Sequence, residues 1–555
     1  MDRDQLNSLV QNSSRLSRRT FLRGGALGTL ALAAGLLPNR AAGVAPASLP
    51  FSLGIASGDP SHQSVVLWTR LANDPLNGGA MPPVPIEVKW RLATDARMHH
   101  VVRRGTVMAL PQDAHSVHVE VKGLDPDRWY WYQFESGSEF SSIGRTRTFP
   151  APGSQPRLLR FAFVSCQHFE AGYFNAWQRL TEEDIDFVVH LGDYIYEEET
   201  HSISVRQHTP ASEITTLDDF RNRHAQYKSD EHLQTAHALF PFIVSWDDHE
   251  VEDNYAGAIS KNNRDDDPTN NIPQSEFRQR QMRAYQAYFE HMPLPPELQP
   301  DGAQATIFRR FDWGRLARFH VLDTRQFRTD QPCAGAKDLL APAGDDIVIA
   351  CGEEIDPRAS MTGAAQEDWL LDGLRQSKTR WNVIAQQVMM AAVDFGPGVA
   401  LVDPRLAGLQ VRNVDAWDGY VAARNRLLGS VASEGLDNLV VLSGDVHSSW
   451  VADLKSDFAD PQSPVVGSEF VGTSITSEFP GGFLPIVYGA LKDPMNSHIK
   501  FFDGVSHGYV RCVVTPEQWR SDYCAVDTVL LPRATIQTLK SFIVNHSHAG
   551  VMGIL

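Results

Sequence analysis

From residue 158 onward the chain alternates short, uninterrupted apolar runs with longer stretches of helical spacing. Residues 158–164, 185–190, 241–246, 316–323, 381–387 and 439–442 are rich in Val, Ile, Leu and Phe, the pattern of strands buried on both faces. Between them, 174–180, 217–238 and 275–289 carry apolar residues at helical intervals. Strand, helix, strand in that order predicts βαβ units and an α/β domain. The preceding region reads differently. Residues 64–69, 86–92, 101–108, 116–121 and 129–134 alternate apolar with polar positions between turn signals such as Gly58-Asp59-Pro60 and Leu124-Asp125-Pro126. That predicts an all-β, fibronectin- or immunoglobulin-like sandwich over 48–150, joined to an α/β domain over 151–555 by the Pro-rich stretch 150–156.

A chain of 555 residues is long enough for two or more domains. Its first 47 residues belong to neither. Ser17-Arg18-Arg19-Thr20-Phe21-Leu22 precedes a weakly apolar run over 24–37, and Ala45-Pro46-Ala47 offers a small-residue cleavage site. This resembles a twin-arginine signal peptide, which implies the twin-arginine export machinery as a partner and a periplasmic or secreted protein. The run is too short and too rich in Gly and Ala for a stable membrane anchor. The formal net charge of -17 is spread along the chain, which argues against binding to a nucleic-acid scaffold by phosphate neutralisation. A small anionic substrate would need local cations, and metal ions can supply them.

The candidate chemistry sits where the apolar runs end. Residues 185–189 lead into His190-Leu191-Gly192-Asp193-Tyr194-Ile195-Tyr196-Glu197, where Gly192 allows a turn and Asp193 and Tyr196 can face one point. The first run ends at Ser165-Cys166-Gln167, the third at Asp247-Asp248-His249-Glu250, and the last at Ser443-Gly444-Asp445-Val446-His447. Strand ends of an open α/β sheet lie on its ligand-binding edge, so Cys166, Asp193, Asp248 with His249, and Asp445 with His447 are expected along one edge of one sheet. Asp445 and His447 are two apart and would share a side on an extended segment.

These segments resemble the metallophosphoesterases, and together they are similar to the PhoD-type alkaline phosphatase and phosphodiesterase family, which includes phospholipase D-like members. The likeness spans nearly the whole chain. It implies a layered α/β catalytic domain and hydrolysis of phosphomonoesters, phosphodiesters or both by a metal-activated hydroxide. It implies Cys166, Asp193, Tyr196, Asp248, Asp445 and His447 as metal ligands and a phosphate-ester substrate. The residue types agree with the implied metals. Phenolate and thiolate beside carboxylate and imidazole suit Fe3+, and Asp248 and Asp445 suit Ca2+, with Zn2+ or Mn2+ as the alternatives. His249 follows a ligand without being one, and is expected to act catalytically on the leaving group. No Gly-x-Ser-x-Gly or phosphate-cradling Gly-rich loop competes with this chemistry.

In a second rank, Asn254 is either a substrate or metal contact or a helix cap, and Asp323 ends a strand where it could meet substrate. Arg325, Arg424 and His507 read as packing or surface residues. Of the five Cys, Cys333 with Cys351 and Cys512 with Cys524 are close enough in sequence to pair, leaving Cys166 as a metal ligand. The reading opposed to an enzyme is an exported surface-polymer binding protein built on a degenerate scaffold.

Overall fold

The computed structural model describes residues 49–202, 204–261, 263, 271–333, 346–436 and 438–554, so the signal peptide expected at 1–47 lies outside them. Each uninterrupted apolar run contains a strand, and its alternate residues feed two different cores. In Leu159–Val164, Phe161 and Phe163 join one cluster while Ala162 and Val164 join another. Leu439–Ser443 divides likewise, Val440 and Leu442 from Leu439 and Val441. A strand covered on both faces has no polar side to show, which is why these runs do not alternate.

Leu159–Val164, Phe187–His190 and Pro241–Val244 run parallel at the centre of a ten-stranded sheet. A second sheet has seven strands, with Ala317–Val321, Trp381–Ala385, Leu439–Ser443 and Val465–Val471 parallel to one another. Phe161, Phe187 and Ile243 of the first share a core with Phe319, Val383 and Phe470 of the second, so the sheets face each other. The outer face of the ten-stranded sheet packs on the helices Leu217–Lys228, Glu231–Leu239 and Gln274–His291, and that of the seven-stranded sheet on Gly363–Gln376 and Val421–Ser433. The layers run helix, sheet, sheet, helix.

The expected single sheet edge is therefore corrected to two. Cys166, Asp193 and Asp248 follow strands of the ten-stranded sheet, whereas Asp445 and His447 follow a strand of the seven-stranded sheet. The ends meet because the sheets pack face to face: a Cβ on Gly444 would stand 2.5 Å from Ser165 Oγ, so only glycine lets them touch there. The run over 217–238 is two helices, since Asp230 leaves helical geometry and its carboxylate accepts the N–H groups of His232 and Leu233 at 3.0 and 3.2 Å, capping the second.

Residues 51–150 form two facing all-β layers. Val65, Leu67, Val117 and Val121 of one pack on Val88, Leu92, Tyr130, Tyr132 and Phe134 of the other. The first layer is not separate, because Ile55–Gly58 pairs with Pro241–Val244 and extends the ten-stranded sheet.

Cys333 and Cys351 form a disulfide, but Cys512 and Cys524 are free thiols, which corrects the second expected pair. In the hairpin of His507–Val514 and Gln518–Val526, Cys512 lies opposite Ser521 and Cys524 opposite Tyr509. Cys524 lies three positions after Ser521, an odd offset, so the two sulfurs point to opposite faces and into different cores. Non-reducing peptide mapping should find Cys333 linked to Cys351 and both other cysteines alkylated only after unfolding. A 512–524 bridge would refute the register.

Candidate metal centre

The turns that follow the strands hold strained backbone. Cys166, Asp193, Asn254, Asp445 and His447 all have φ between 51° and 66°, a left-handed conformation that costs side-chain-bearing residues about 1 kcal/mol or more each. Asp445 and His447 thus share a side through two left-handed residues and not through an extended segment, a second correction. Gly192, at φ 114°, has no room for a Cβ, which would stand 2.4 Å from that of Asp247. Glu250 fastens these turns together: its carboxylate accepts the N–H groups of Asp193, Tyr194 and Asp247 at 3.1, 2.7 and 2.8 Å.

Four side chains of different chemistry converge on one point. The Tyr196 hydroxyl donates to Asp193 Oδ2 at 2.9 Å and lies 3.1 Å from His447 Nε2. Cys166, Asp193 and His447 each present a ligand atom within 4.8 Å of the others. Asp193 Oδ1 is buried without a hydrogen-bond partner. His447 Nδ1 sits 3.1 Å from the Glu478 carbonyl, so it carries the proton and leaves Nε2 as a lone-pair donor, the tautomer that metal-binding histidines adopt. Beside this set, Asp193, Asp248 and His249 form another within the same reach.

Arg325 is the residue whose role the sequence concealed. It is fully buried, bonded to Asp247, 2.7 Å from both Asp415 and Asp445, and 3.4 Å from Asp248. Asp323 does not meet the cleft; its carboxylate accepts the N–H groups of Arg325 and Gln326 at 3.0 and 2.9 Å and shapes the turn that carries Arg325. Asn254 does line the cleft, bonded to Asp346, and its own N–H donates to Asp248 at 2.7 Å. Arg424 is a buried partner of Asp418, and His507 bonds Ser474 on the His447 side of the cluster.

Charge decides what this arrangement needs. Among the described residues, the carboxylates of Asp193, Glu197, Asp247, Asp248, Asp415 and Asp445 have Arg325, Arg328 and the His249 and His447 rings as ion-pair partners, with Arg223 near Glu197. Burial, and then the neighbouring Asp248 charge, raise Asp193 to about 7; burial raises Asp445 to about 7 despite Arg325. Burial and the Asp193 charge also push the Cys166 thiol and the Tyr196 phenol well up. A cluster that holds protons so far above their ordinary range is one that a highly charged cation would stabilise by displacing them. The orphaned oxygen, the His447 tautomer and the mixed donor set all fit a metal.

His249 is placed differently. Its Nδ1 lies 2.7 Å from Glu197 and its ring 4.1 Å from that of Tyr196. Burial lowers its pKa, but the charges of Glu197, Asp248 and Asp193 outweigh that and hold it well above the usual range. Glu197 is buried, and its carboxylate also accepts the Asp253 N–H at 2.7 Å. Apart from the preceding Tyr-Ile-Tyr, nothing in sequence marked it.

Residues 161–523 match the family model for PhoD-like phosphatase, and residues 38–150 that for the PhoD-like phosphatase N-terminal domain. Alkaline phosphatase D of Bacillus subtilis (strain 168) is 46% identical over 510 residues, spanning 91% of this chain and 82% of that protein. A solved structure described as PhoD superposes with a TM-score of 0.82 at 43% identity, covering 93% of each chain. The chain belongs to the PhoD-like phosphatase family.

Proposed function

We propose that this phosphatase is exported through the twin-arginine route and hydrolyses phosphate esters, monoesters, diesters or both, at a metal pair. Cys166, Asp193, Tyr196 and His447 would hold Fe3+, and Asp193, Asp248 and Asp445 would hold Ca2+, with Zn2+ or Mn2+ the alternatives. Convergence of thiol, phenol, carboxylate and imidazole around the unpartnered Asp193 oxygen carries this reading. Bound there, such cations would polarise an attacking water and neutralise the charge of the phosphate. Glu197 holds the His249 ring by Nδ1, so Nε2, 3.9 Å from Asp253 Oδ1 and beyond hydrogen-bond reach of it, would carry the proton for the departing alcohol oxygen. Arg325 keeps Asp248 and Asp445 in place while leaving the cluster short of positive charge. Phospholipase D-like cleavage of a diester falls within the same chemistry. The opposed reading, a binding protein on a degenerate scaffold, gives way to membership of an enzyme family. Among the described residues no helix is long and apolar enough to cross a membrane.

Colour tests the iron assignment. A ferric ion bound by phenolate and thiolate absorbs visible light, whereas Zn2+ and Ca2+ do not. The purified enzyme should contain iron, be coloured, and turn over p-nitrophenyl phosphate or its bis ester with Ca2+ present. Tyr196→Phe should bleach or shift the band while the fold persists. A colourless, fully active enzyme with zinc and no iron would remove Fe3+ from the proposal and leave the phosphoesterase reading standing.

A further inference from the structure

The cleft above the proposed metal ligands has a volume of about 230 Å3, and its lining is of two kinds. Asp193, Asp248, His249, Asp445 and His447 form the polar part, while Met389, Val393, Phe395, Trp450, Phe479 and Phe483 form an apolar wall. The wall is a connected aromatic row. Ring centroids lie 5.1 Å apart for Phe395 and Phe483, 6.2 Å for Phe483 and Phe479, 5.8 Å for Phe479 and Phe502, and 4.4 Å for Phe502 and Trp450.

Its backbone is held in place from behind. Glu469 accepts the N–H groups of Met390 and Ala391, both at 2.7 Å, and Asp418 accepts that of Val393 at 2.8 Å. A wall fixed in this way is preformed, and binding an apolar group against it costs little ordering.

From this we infer that the aromatic wall is the subsite for the ester alcohol, and that the enzyme prefers phosphate esters of apolar alcohols, aromatic or alkyl, over those of small polar ones. The inference rests on the phosphoesterase reading above. In the reaction the oxygen of water bonds to phosphorus, the bond between phosphorus and the alcohol oxygen breaks, and the alcohol departs with a proton.

Methyl phosphodiesters whose second alcohol is ethyl, butyl, hexyl or 2-phenylethyl, with the matching monoesters, test the inference on the metal-loaded enzyme. Their leaving alcohols are similarly basic, so differences in kcat/KM report contacts beyond the phosphate. From ethyl to hexyl, kcat/KM should rise by about tenfold or more, and 2-phenylethyl should match hexyl. Phe479 is only partly buried, so Phe479→Ala should fold, and it should shrink the hexyl-to-ethyl ratio to about threefold or less. A flat series or an unchanged ratio in Phe479→Ala would overturn the subsite. Binding of 2-phenylethanol but not glycerol, read by saturation-transfer NMR, is expected independently of turnover. If no ester is hydrolysed, the phosphoesterase reading fails, and that NMR result alone decides whether the wall takes apolar alcohols.

Discussion

Asp193→Asn should abolish metal retention and hydrolysis together, and yet make the metal-free protein more stable. Asp193 belongs to both proposed ligand sets, with Cys166, Tyr196 and His447 on one side and Asp248 and Asp445 on the other, so an uncharged amide there weakens both. The stability gain follows from the proton balance. Burial and the Asp248 charge raise the Asp193 carboxyl from 3.8 to about 7, so between those values the folded protein holds a proton that the unfolded chain has released. Folding stability contributed by this group is therefore present at low pH and lost as pH rises towards 7. Each tenfold difference in proton affinity between the folded and unfolded chain corresponds to about 1.4 kcal/mol, which makes the penalty several kcal/mol at neutral pH without metal. Buried histidines such as His190, lowered to about 3 by desolvation, act with the opposite sign, so the two proteins must be compared at each pH. Melting the chelated wild type and Asp193→Asn from pH 4 to 8 should show the variant's advantage growing up to about pH 7. An advantage that shrinks over that window would mean Asp193 is an ordinary ionised carboxylate, and undiminished metal content in the variant would remove it from the ligands.

His249→Ala should lower turnover by about 10² to 10⁴ while leaving metal content nearly unchanged, the range expected when a general acid is removed. The separation of roles rests on geometry. Glu197 engages Nδ1 from the side, and the Tyr196 ring covers one face of the imidazole, which leaves Nε2 for substrate. Glu197→Gln should lose part of the same rate, because a neutral amide no longer raises the proton affinity of the ring. Metal analysis beside steady-state kinetics separates the outcomes. An emptied site in His249→Ala would make His249 a ligand and leave the departing oxygen without a proton donor.

How much of this was legible beforehand follows from what each residue's neighbours in sequence could reveal. Cys166, Asp193, Asp248 and Asp445 come two or three positions after apolar runs, so the rule that ligands bind at strand ends singled them out without any knowledge of the sheets. Glu197 and Glu250 were adjacent to named residues but had no assigned role, because accepting a histidine N–H or three backbone N–H groups is a relation between loops far apart in the chain. Arg325 shows the same limit more sharply. In sequence it is an Arg after Asp-Thr, and in three dimensions it is the counter-charge of four aspartates.

The sequence by itself determined the strands, the all-β region ahead of an α/β region, and which turns carry the clustered Cys, Asp and His side chains, since hydrophobic period, glycine and turn chemistry act over a few residues. Only the tertiary structure decided that two sheets and not one deliver those turns, because a strand buried on both faces has the same sequence pattern in either arrangement. It decided also that Cys512 and Cys524 stay apart, since the side-chain alternation that separates them depends on the register of the hairpin. The aromatic wall of the cleft was likewise invisible, as Phe395, Trp450 and Phe483 are spread over some ninety positions and become one surface only when the seven-stranded sheet and its helices pack. Local patterns fix which residues can do chemistry, and long-range packing fixes which of them meet.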